Sequence, residues 1–309
     1  MKNFKLINIA FVALLVMSCR GLDDVVVPEF NVTVEKTTFT LNEEVKFNFT
    51  GNPDIITLYS GVIGNDYSFA NGRVLSNRFN MQFETQMLDG RQDDQLHILL
   101  SIDFSGEYAL DAVQKATWVD ITEKFTIPKP QQTRLYVNSN VGDFTDDIFG
   151  ETGSQKFYVA IKHQVKDQNS FGLGNLNRIR GMRLFSNNLL GETLLYNHTS
   201  LAWNLLSTEN KEADRAQITT TLVELRSNVK DKVAETEDWA ISKELQISKE
   251  TNAGPDRGDC IKSVGDGRVD NYTIKYNAVG EYRVVFIAKN INAESEKTIV
   301  KEMTINVVE

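Results

Sequence analysis

The sequence contains little cysteine, proline or histidine, and acidic residues outnumber basic ones. Its 309 residues include 2 Cys, 5 Pro and 3 His, and 33 Lys and Arg stand against 42 Asp and Glu. So few cysteines and prolines exclude disulfide-stapled and collagen-like folds. A net charge of −9 without a basic run argues against nucleic-acid binding, because nucleic-acid binders neutralise phosphates with clustered Lys and Arg. With 41% apolar residues, the chain has the composition of a folded protein with a core.

Long apolar runs are also scarce, and the one near the N-terminus is too short to span a membrane. It covers residues 6–17, about 12 residues, and follows a segment with two lysines. A transmembrane helix needs roughly 20 apolar residues, so the run predicts a secretory signal peptide over residues 1–18. A buried helix of the folded protein is the alternative. No second apolar stretch approaches membrane length.

Ser18 and Cys19 directly follow this apolar run. The string VMSC (residues 16–19) resembles the lipobox of bacterial lipoproteins. This resemblance implies that residues 1–18 are removed, that Cys19 is acylated, and that residues 19–27 form a lipidated tether. Each buried CH2 of an acyl chain contributes about 0.8 kcal/mol to membrane binding, so several chains anchor a protein firmly.

An acidic pair at residues 23–24 follows Cys19. It resembles the signal that sends lipoproteins of some Gram-negative gut bacteria to the outer cell surface, and a solvated acidic tether is the alternative. Loss of residues 1–18 would remove two lysines and change the net charge from −9 to −11. We therefore expect a lipid-anchored protein on the exposed face of the outer membrane.

Alternating apolar and polar residues predict β-strands near both ends of the chain. The predicted strands cover residues 30–34, 45–49, 54–61, 272–276, 282–288 and 303–308. Neither end alone is long enough to bury a core, so the two ends are expected to form one discontinuous domain. Its predicted parts are residues 28–66 and 255–309, which leaves residues 67–254 as an inserted domain.

The inserted domain is also predicted to be rich in strands. Candidate strands cover residues 96–104, 118–127, 157–165 and 179–185, with Gly, Asn and Asp turns between them. Strands at this spacing favour a sandwich or a jelly roll. The segment 209–235 is rich in Glu, Lys and Ala, and it is interpreted as a helix or a long polar excursion.

Two strings near the ends resemble known β-sandwich domains. YNAVGEYRV (residues 276–284) and LNEEVKF (residues 41–47) are similar to strands of polycystic-kidney-disease-type and other immunoglobulin-like domains. In the middle, FYVAI (residues 157–161) and NRI (residues 177–179) are similar to jelly-roll modules of bacterial adhesins and carbohydrate-binding proteins. The expected fold class is all-β, an immunoglobulin-like sandwich with an inserted jelly-roll-like β-sandwich.

Three longer strings resemble one family. TGNPDIITLYSG (residues 50–61), SIDFSG with ATWVDIT (residues 101–106 and 116–122), and GEY (residues 280–282) are similar to uncharacterised surface lipoproteins of Gram-negative gut bacteria, filed as a domain of unknown function. Members often occur beside SusC/SusD-type glycan-uptake systems. The resemblance implies a glycan ligand and SusC/SusD-type partners, and it transfers no catalytic or binding residue.

Few residues carry a recognisable chemistry. His97, His163 and His198 lie in separate segments, and each is interpreted as a surface or strand histidine and not as part of a metal or catalytic centre. No nucleophile elbow of the G-x-S-x-G type is present. If Cys19 is acylated, Cys260 has no disulfide partner. We predict that Cys260 is buried as a small hydrophobe, with a free thiol as the alternative.

Three clusters of acidic residues are candidate calcium-binding sites. They comprise Asp89, Asp93 and Asp94; Asp143, Asp146 and Asp147; and Asp256 with Asp259. None has the spacing of an EF-hand loop, so solvated turn carboxylates are predicted, with a structural Ca²⁺ as the alternative. No other metal or cofactor is expected.

Exposed aromatic side chains would be needed to stack on a sugar ring. Trp203 and Tyr67 lie in polar stretches and are candidate ligand-binding residues. Trp118 is a third candidate, although its neighbours Val119 and Ile121 favour core packing. Trp239 is interpreted as a strand residue of the core.

Three functions remain open from the sequence. The first is a non-catalytic surface lipoprotein that binds glycan as an accessory of a polysaccharide-uptake system. The second is a structural or adhesive surface protein that binds another protein. The third is a glycoside hydrolase, which needs only two suitably spaced carboxylates and which 42 acidic residues neither support nor exclude.

Overall fold

A computed structural model describes residues 24–148 and 153–309. The predicted signal peptide, Cys19 and the start of the predicted tether lie outside the described residues. The described chain divides into a discontinuous unit, residues 24–73 and 253–309, and an inserted unit, residues 74–252. The sequence pattern predicts these two borders after residues 66 and 254, and the structure has them after residues 73 and 252.

Strands make up most of the described chain, which confirms the all-β prediction. The first twelve are β1 (Phe30–Val34), β2 (Thr38–Thr40), β3 (Glu44–Gly51), β4 (Ile55–Tyr59), β5 (Arg73–Ser76), β6 (Arg78–Leu88), β7 (Leu96–Ser101), β8 (Val119–Asp120), β9 (Val137–Asn138), β10 (Gly142–Asp143), β11 (Ser154–Val165) and β12 (Leu176–Asn188). The others are β13 (Gly191–Asn197), β14 (Asn204–Ser207), β15 (Ala216–Ile218), β16 (Leu222–Arg226), β17 (Thr236–Ile241), β18 (Leu245–Ser248), β19 (Glu250–Gly254), β20 (Asp259–Lys262), β21 (Asn271–Lys275), β22 (Gly280–Ile291) and β23 (Glu296–Val308).

Helices in the described residues are short. They are α1 (Leu110–Lys115), α2 (Thr145–Ile148) and α3 (Gln168–Phe171), together with 3-10 turns at Tyr67–Phe69 and Thr122–Lys124. None of these helices is both long and apolar enough to cross a bilayer.

The discontinuous unit is a sandwich built from both ends of the chain. A three-stranded sheet has the order β1-β3-β21, and a five-stranded sheet has the order β2-β23-β22-β4-β20. Every second residue of these strands points into one apolar cluster, to which Phe47 of the first sheet and Leu58 and Phe286 of the second contribute. The rings of Phe47 and Phe286 meet edge to face, with centroids 5.1 Å apart.

The inserted unit is a second, larger sandwich. One sheet has the order β10-β6-β12-β16-β15, with β9 and β13 paired to β6 and β12, and the other has the order β14-β17-β11-β7-β8, with β18 paired to β11. Phe83 and Ile179 from the first sheet and Leu100 and Val159 from the second share one buried cluster. Helix α1 lies over a separate apolar cluster, formed by the outward-facing residues of β7, β11 and β17.

Three predictions at the level of elements are wrong. Residues 209–235 form no helix and instead contain β15 and β16, because Val223 and Leu225 alternate with polar residues and face the core. Residues 118–127 form a strand only at Val119–Asp120, since the Asp120 carboxylate accepts a hydrogen bond from the Thr122 N–H and starts a 3-10 turn. Cys260 is an exposed free cysteine and not a buried hydrophobe, because β20 is an edge strand.

Candidate functional site

A groove of about 570 Å³ lies on the inserted unit. Strands β6 and β12 form its base, and its walls are formed by the ends of β9 and β13 and by the segments that follow β13 and β15. Its lining residues are Gln82, Phe83, Glu84, Asn138, Arg180, Gly181, Met182, Arg183, Asn197, His198, Thr199, Thr220 and Thr221. The volume is within the range of small-ligand sites in proteins.

A β-bulge between β6 and β12 creates the groove. Arg180 pairs with Glu84 and Arg183 pairs with Gln82, so two residues of β12 stand opposite the single residue Phe83. One of the two is Gly181, whose φ of +63° is in the left-handed region that favours glycine. The other is Met182, whose side chain is fully buried in the core. The extra residue bends the strand and interrupts the ladder at the base of the groove.

Planar polar side chains line the rim of the groove and form hydrogen bonds with one another. Arg180 Nε donates to Glu84 Oε2 at 2.6 Å, and this hydrogen bond raises the pKa of the Arg180 guanidinium. The same guanidinium lies over the Tyr136 ring, 3.7 Å from its centroid. Gln82 Nε2 donates to Asn138 Oδ1 at 3.3 Å. The rim therefore presents guanidinium, carboxylate and amide groups whose orientations are constrained before any ligand arrives.

His198 is the buried polar residue of the groove. Only 6% of it is exposed, and neither ring nitrogen has a hydrogen-bond partner by distance and angle among the described residues. Burial lowers the pKa of His198, and the backbone of Thr219 opposes this effect. The imidazole is therefore neutral at physiological pH, with one N–H donor and one nitrogen acceptor.

One family model matches the chain. It is described as "Domain of unknown function (DUF5017)", and it covers residues 18–203, more than half of the sequence. The chain belongs to the DUF5017 family. No curated protein matches it. The matched range includes β6, β12 and His198, whereas Thr220 and Thr221 of the groove lie after it.

Of the three aromatic candidates in this DUF5017 protein, only Trp203 is close to the groove. It packs against the core cluster of the inserted unit, and its ring centroid is 6.1 Å from that of His198. The buried Trp203 Nε1 has no hydrogen-bond partner among the described residues. Trp203 therefore supports His198 from within the unit and does not offer a ring face to the groove.

Tyr67 and Trp118 do not line the groove. Tyr67 belongs to the discontinuous unit, where the centroid of its ring lies 5.3 Å from that of the Tyr59 ring. Trp118 lies in the apolar cluster under α1, where its ring is 5.4 Å from Trp239 and its Nε1 donates to the Val113 carbonyl at 2.9 Å. Trp239 is buried in β17, which confirms its predicted strand and core position.

The acidic clusters of this DUF5017 protein hold arginine side chains. Arg78 contacts Asp143 at 2.6 Å and Asp146 at 3.1 Å, and Arg73 makes a bidentate contact with Asp256 at 2.9 and 2.7 Å. Within the residues described by the structure, no three His, Cys, Asp or Glu side chains are arranged to bind a metal ion.

Sequence patterns did not identify the residues that form the groove. Gln82, Asn138, Arg180 and Arg183 are ordinary polar residues of alternating strands and carry no motif. The one available signal was Gly181 inside an otherwise regular strand, because an isolated glycine there indicates a bulge or a close approach. His198 could be identified only once the fold placed it under the rim.

Proposed function

We propose that this DUF5017 protein binds carbohydrate without catalysis, through the groove of the inserted unit. The observation that carries the proposal is the set of amide, guanidinium, carboxylate and hydroxyl groups that line the groove. Such groups pair with the hydroxyls of a sugar. The exposed aromatic platform expected from the sequence is not part of this groove, so polar contacts would supply most of the affinity.

Binding fits the groove better than hydrolysis. Glycoside hydrolysis requires two carboxyl groups on either side of the scissile bond. The lining of the groove contains one carboxylate, Glu84, and Arg180 holds it at 2.6 Å. We therefore place the glycoside hydrolase hypothesis behind binding.

We further propose that Cys19 is acylated and that the protein lies on the outer surface of the outer membrane, as an accessory of a SusC/SusD-type uptake system. The support comes from the sequence: a short apolar run, a small residue before Cys19, and an acidic pair at residues 23–24. Acylation would hold the groove at the cell surface, where polysaccharides arrive.

A glycan array followed by isothermal titration calorimetry tests the proposal on the full chain in detergent micelles. We expect at least one oligosaccharide to bind, with Gln82→Ala weakening its binding about tenfold, because an amide that pairs with a sugar hydroxyl is worth about 1–1.5 kcal/mol. Gln155→Ala is the matched control, since Gln155 lies on β11 and bonds only the adjacent Lys156 carbonyl in the described structure. The groove would be refuted as the site if no saccharide on the array bound, or if both variants weakened binding equally.

Protein binding is the second candidate function, and one hairpin favours it. The turn between β12 and β13 exposes Leu189 and Leu190 by 69% and 61%, and Leu194 on β13 is 49% exposed. Adjacent exposed leucines are typical of protein-contact surfaces. Cross-linking on intact cells tests this: a cross-linked partner that is lost in the Leu189→Ser, Leu190→Ser double variant would support adhesion, and an unchanged pattern would count against it.

A further inference from the structure

The groove carries an unbalanced positive charge. Its charged lining residues are Glu84, Arg180 and Arg183. Arg180 and Glu84 neutralise each other through their 2.6 Å contact. Arg183 has no carboxylate partner in the described part of the chain, so the groove has one net positive charge in a protein whose net charge is −9.

Arg183 is oriented by its neighbours but retains most of its donors. Its Nη2 donates to Gln82 Oε1 at 3.3 Å, and its guanidinium lies 5.6 Å from the Phe185 ring centroid. A guanidinium has five N–H donors in a planar fork that matches a carboxylate or a sulfate. Gln82 uses one of these donors. The others have no acceptor among the described residues and can bind an anionic group of a ligand at the exposed rim.

His198 is the second observation that points to a ligand. In the strand register Arg183 stands opposite Asn197, the residue directly before His198, so the two side chains come from adjacent positions of the groove. His198 is buried and lines the groove, and by distance and angle neither of its ring nitrogens has a hydrogen-bond partner among the described residues. A neutral imidazole has one donor and one acceptor nitrogen, and either can bond a sugar hydroxyl while Arg183 binds an anionic substituent.

We propose that the groove is selective for acidic saccharides, with the carboxylate or sulfate group on Arg183 and a neighbouring hydroxyl on His198. This inference rests on the proposed carbohydrate binding and adds the charge of the ligand to it. Arg183 is the specificity-determining residue. A neutral sugar would leave its charge without a partner, whereas an acidic sugar would neutralise it.

Calorimetry with three matched probes tests the selectivity on the full chain in micelles. The probes are oligogalacturonides, the same oligogalacturonides as methyl esters, and sulfated galacto-oligosaccharides. We expect the acid or the sulfated sugar to bind at least tenfold more tightly than the uncharged ester, and we expect this preference to shrink as salt is raised from 0.05 to about 0.5 M. The two charged probes show which anionic group the groove accepts.

Arg183→Gln should remove the preference, so that the charged probes and the neutral ester bind to this variant with affinities within about twofold of one another. Arg91→Gln is the matched control, because Arg91 is also an exposed arginine of the inserted unit without a carboxylate partner among the described residues, and it does not line the groove. His198→Gln should weaken the acidic and the neutral probes alike. Circular dichroism on each variant shows whether it remains folded.

The outcomes separate the two proposals. Equal affinity for acid, sulfated sugar and ester would overturn the selectivity and leave carbohydrate binding intact. A preference that persists in Arg183→Gln would overturn the role of Arg183. No binding of any charged or neutral saccharide, in this experiment and across the array, would overturn the proposed function itself.

Discussion

At the scale of single residues, the inserted unit buries a small ionisable cluster. His163 and Asp238 are both fully buried, and His163 Nδ1 lies 3.2 Å from Asp238 Oδ2. Lys211 Nζ contacts the same carboxylate, and Ser207 donates to its other oxygen at 2.7 Å. Burial lowers the pKa of His163 despite Asp238. Burial also acts to raise the pKa of Asp238, but the bond to His163 and the charge of Lys211 outweigh it and lower that pKa.

These directions predict a loss of stability in acid. With both pKa values below their unfolded values, the folded state binds fewer protons than the unfolded state. The contribution of His163 is present above the unfolded histidine pKa of about 6.5 and is lost as the pH falls below it. We expect the free energy of unfolding in urea to fall between pH 7.5 and 5, by up to roughly 1.4 kcal/mol per pH unit for one proton.

His163→Gln should make this decline shallower. His97→Gln is the control, because His97 is a strand histidine at the surface beside Asp120. An unchanged pH dependence in His163→Gln, with a shallower one in His97→Gln, would show that the buried cluster is not its source.

Side-chain roles were the part of the molecule that sequence predicted least well. Trp118 and Trp239 could be placed in a core from their apolar neighbours, and both pack there. The exposure of Cys260 could not be predicted, because it results from the position of β20 at the edge of its sheet. The order of strands in a sheet is not visible in the local sequence. Trp203 lies in a polar stretch, yet the fold turns it inward against His198.

At the scale of elements, the bulge in β12 determines the site. Gly181 has room around its Cα, with no atom within 4 Å of an added Cβ, so a side chain there meets only the conformational penalty of positive φ. Arg180 and Arg183 depend on that geometry for their positions on either side of the bulge. Strand alternation predicted that the segment is a strand, but pairing with β6 sets the bulge, and pairing is not visible in one strand alone.

Gly181→Ala should destabilise the protein by about 1 kcal/mol, because alanine is strained in the left-handed region. Saccharide affinity should fall with it, as the two arginines shift. Gly265→Ala is a control with equal free space and no positive φ. Urea unfolding and calorimetry measure both effects. A variant with unchanged stability and unchanged affinity would contradict the bulge as the origin of the groove.

At the scale of the whole molecule, the discontinuous unit depends on contacts between the two ends of the chain. The Phe286 ring, late in the sequence, lies 5.1 Å from Phe47 and 5.4 Å from Phe49, both early in it. The alternating patterns at both ends, and the shortness of each, were sufficient to predict that they share one core. The order of strands within each sheet was not predictable, because it depends on long-range pairing.

Phe286→Ala should therefore lower the free energy of unfolding by about 3–5 kcal/mol, since it leaves a cavity at the centre of that core. Phe171→Ala, which truncates a phenylalanine that is 58% exposed, should change it by less than about 0.5 kcal/mol. Denaturant titrations followed by circular dichroism compare the two. Similar values for both would contradict the shared core.

The proposed lipid anchor would be a property of the whole molecule and has its own test. Cys19→Ala should leave an uncleaved or soluble chain, because the predicted acylation site is lost. Cys260→Ala removes the other cysteine and should leave membrane association unchanged. Fractionation of cells and immunoblotting distinguish the variants. Membrane association that persists in Cys19→Ala would refute the lipid anchor.

The central claim is that saccharides bind in the groove of the inserted unit, and the histidine rings test it most directly. The chain has three histidines, and of these only His198 lines the groove. Heteronuclear NMR of selectively labelled histidine rings, assigned with one His→Gln variant each, follows all three during titration with a binding oligosaccharide. We expect a saturable shift of the His198 signals, with those of His97 and His163 unchanged. A saturating ligand that leaves His198 unmoved would contradict it.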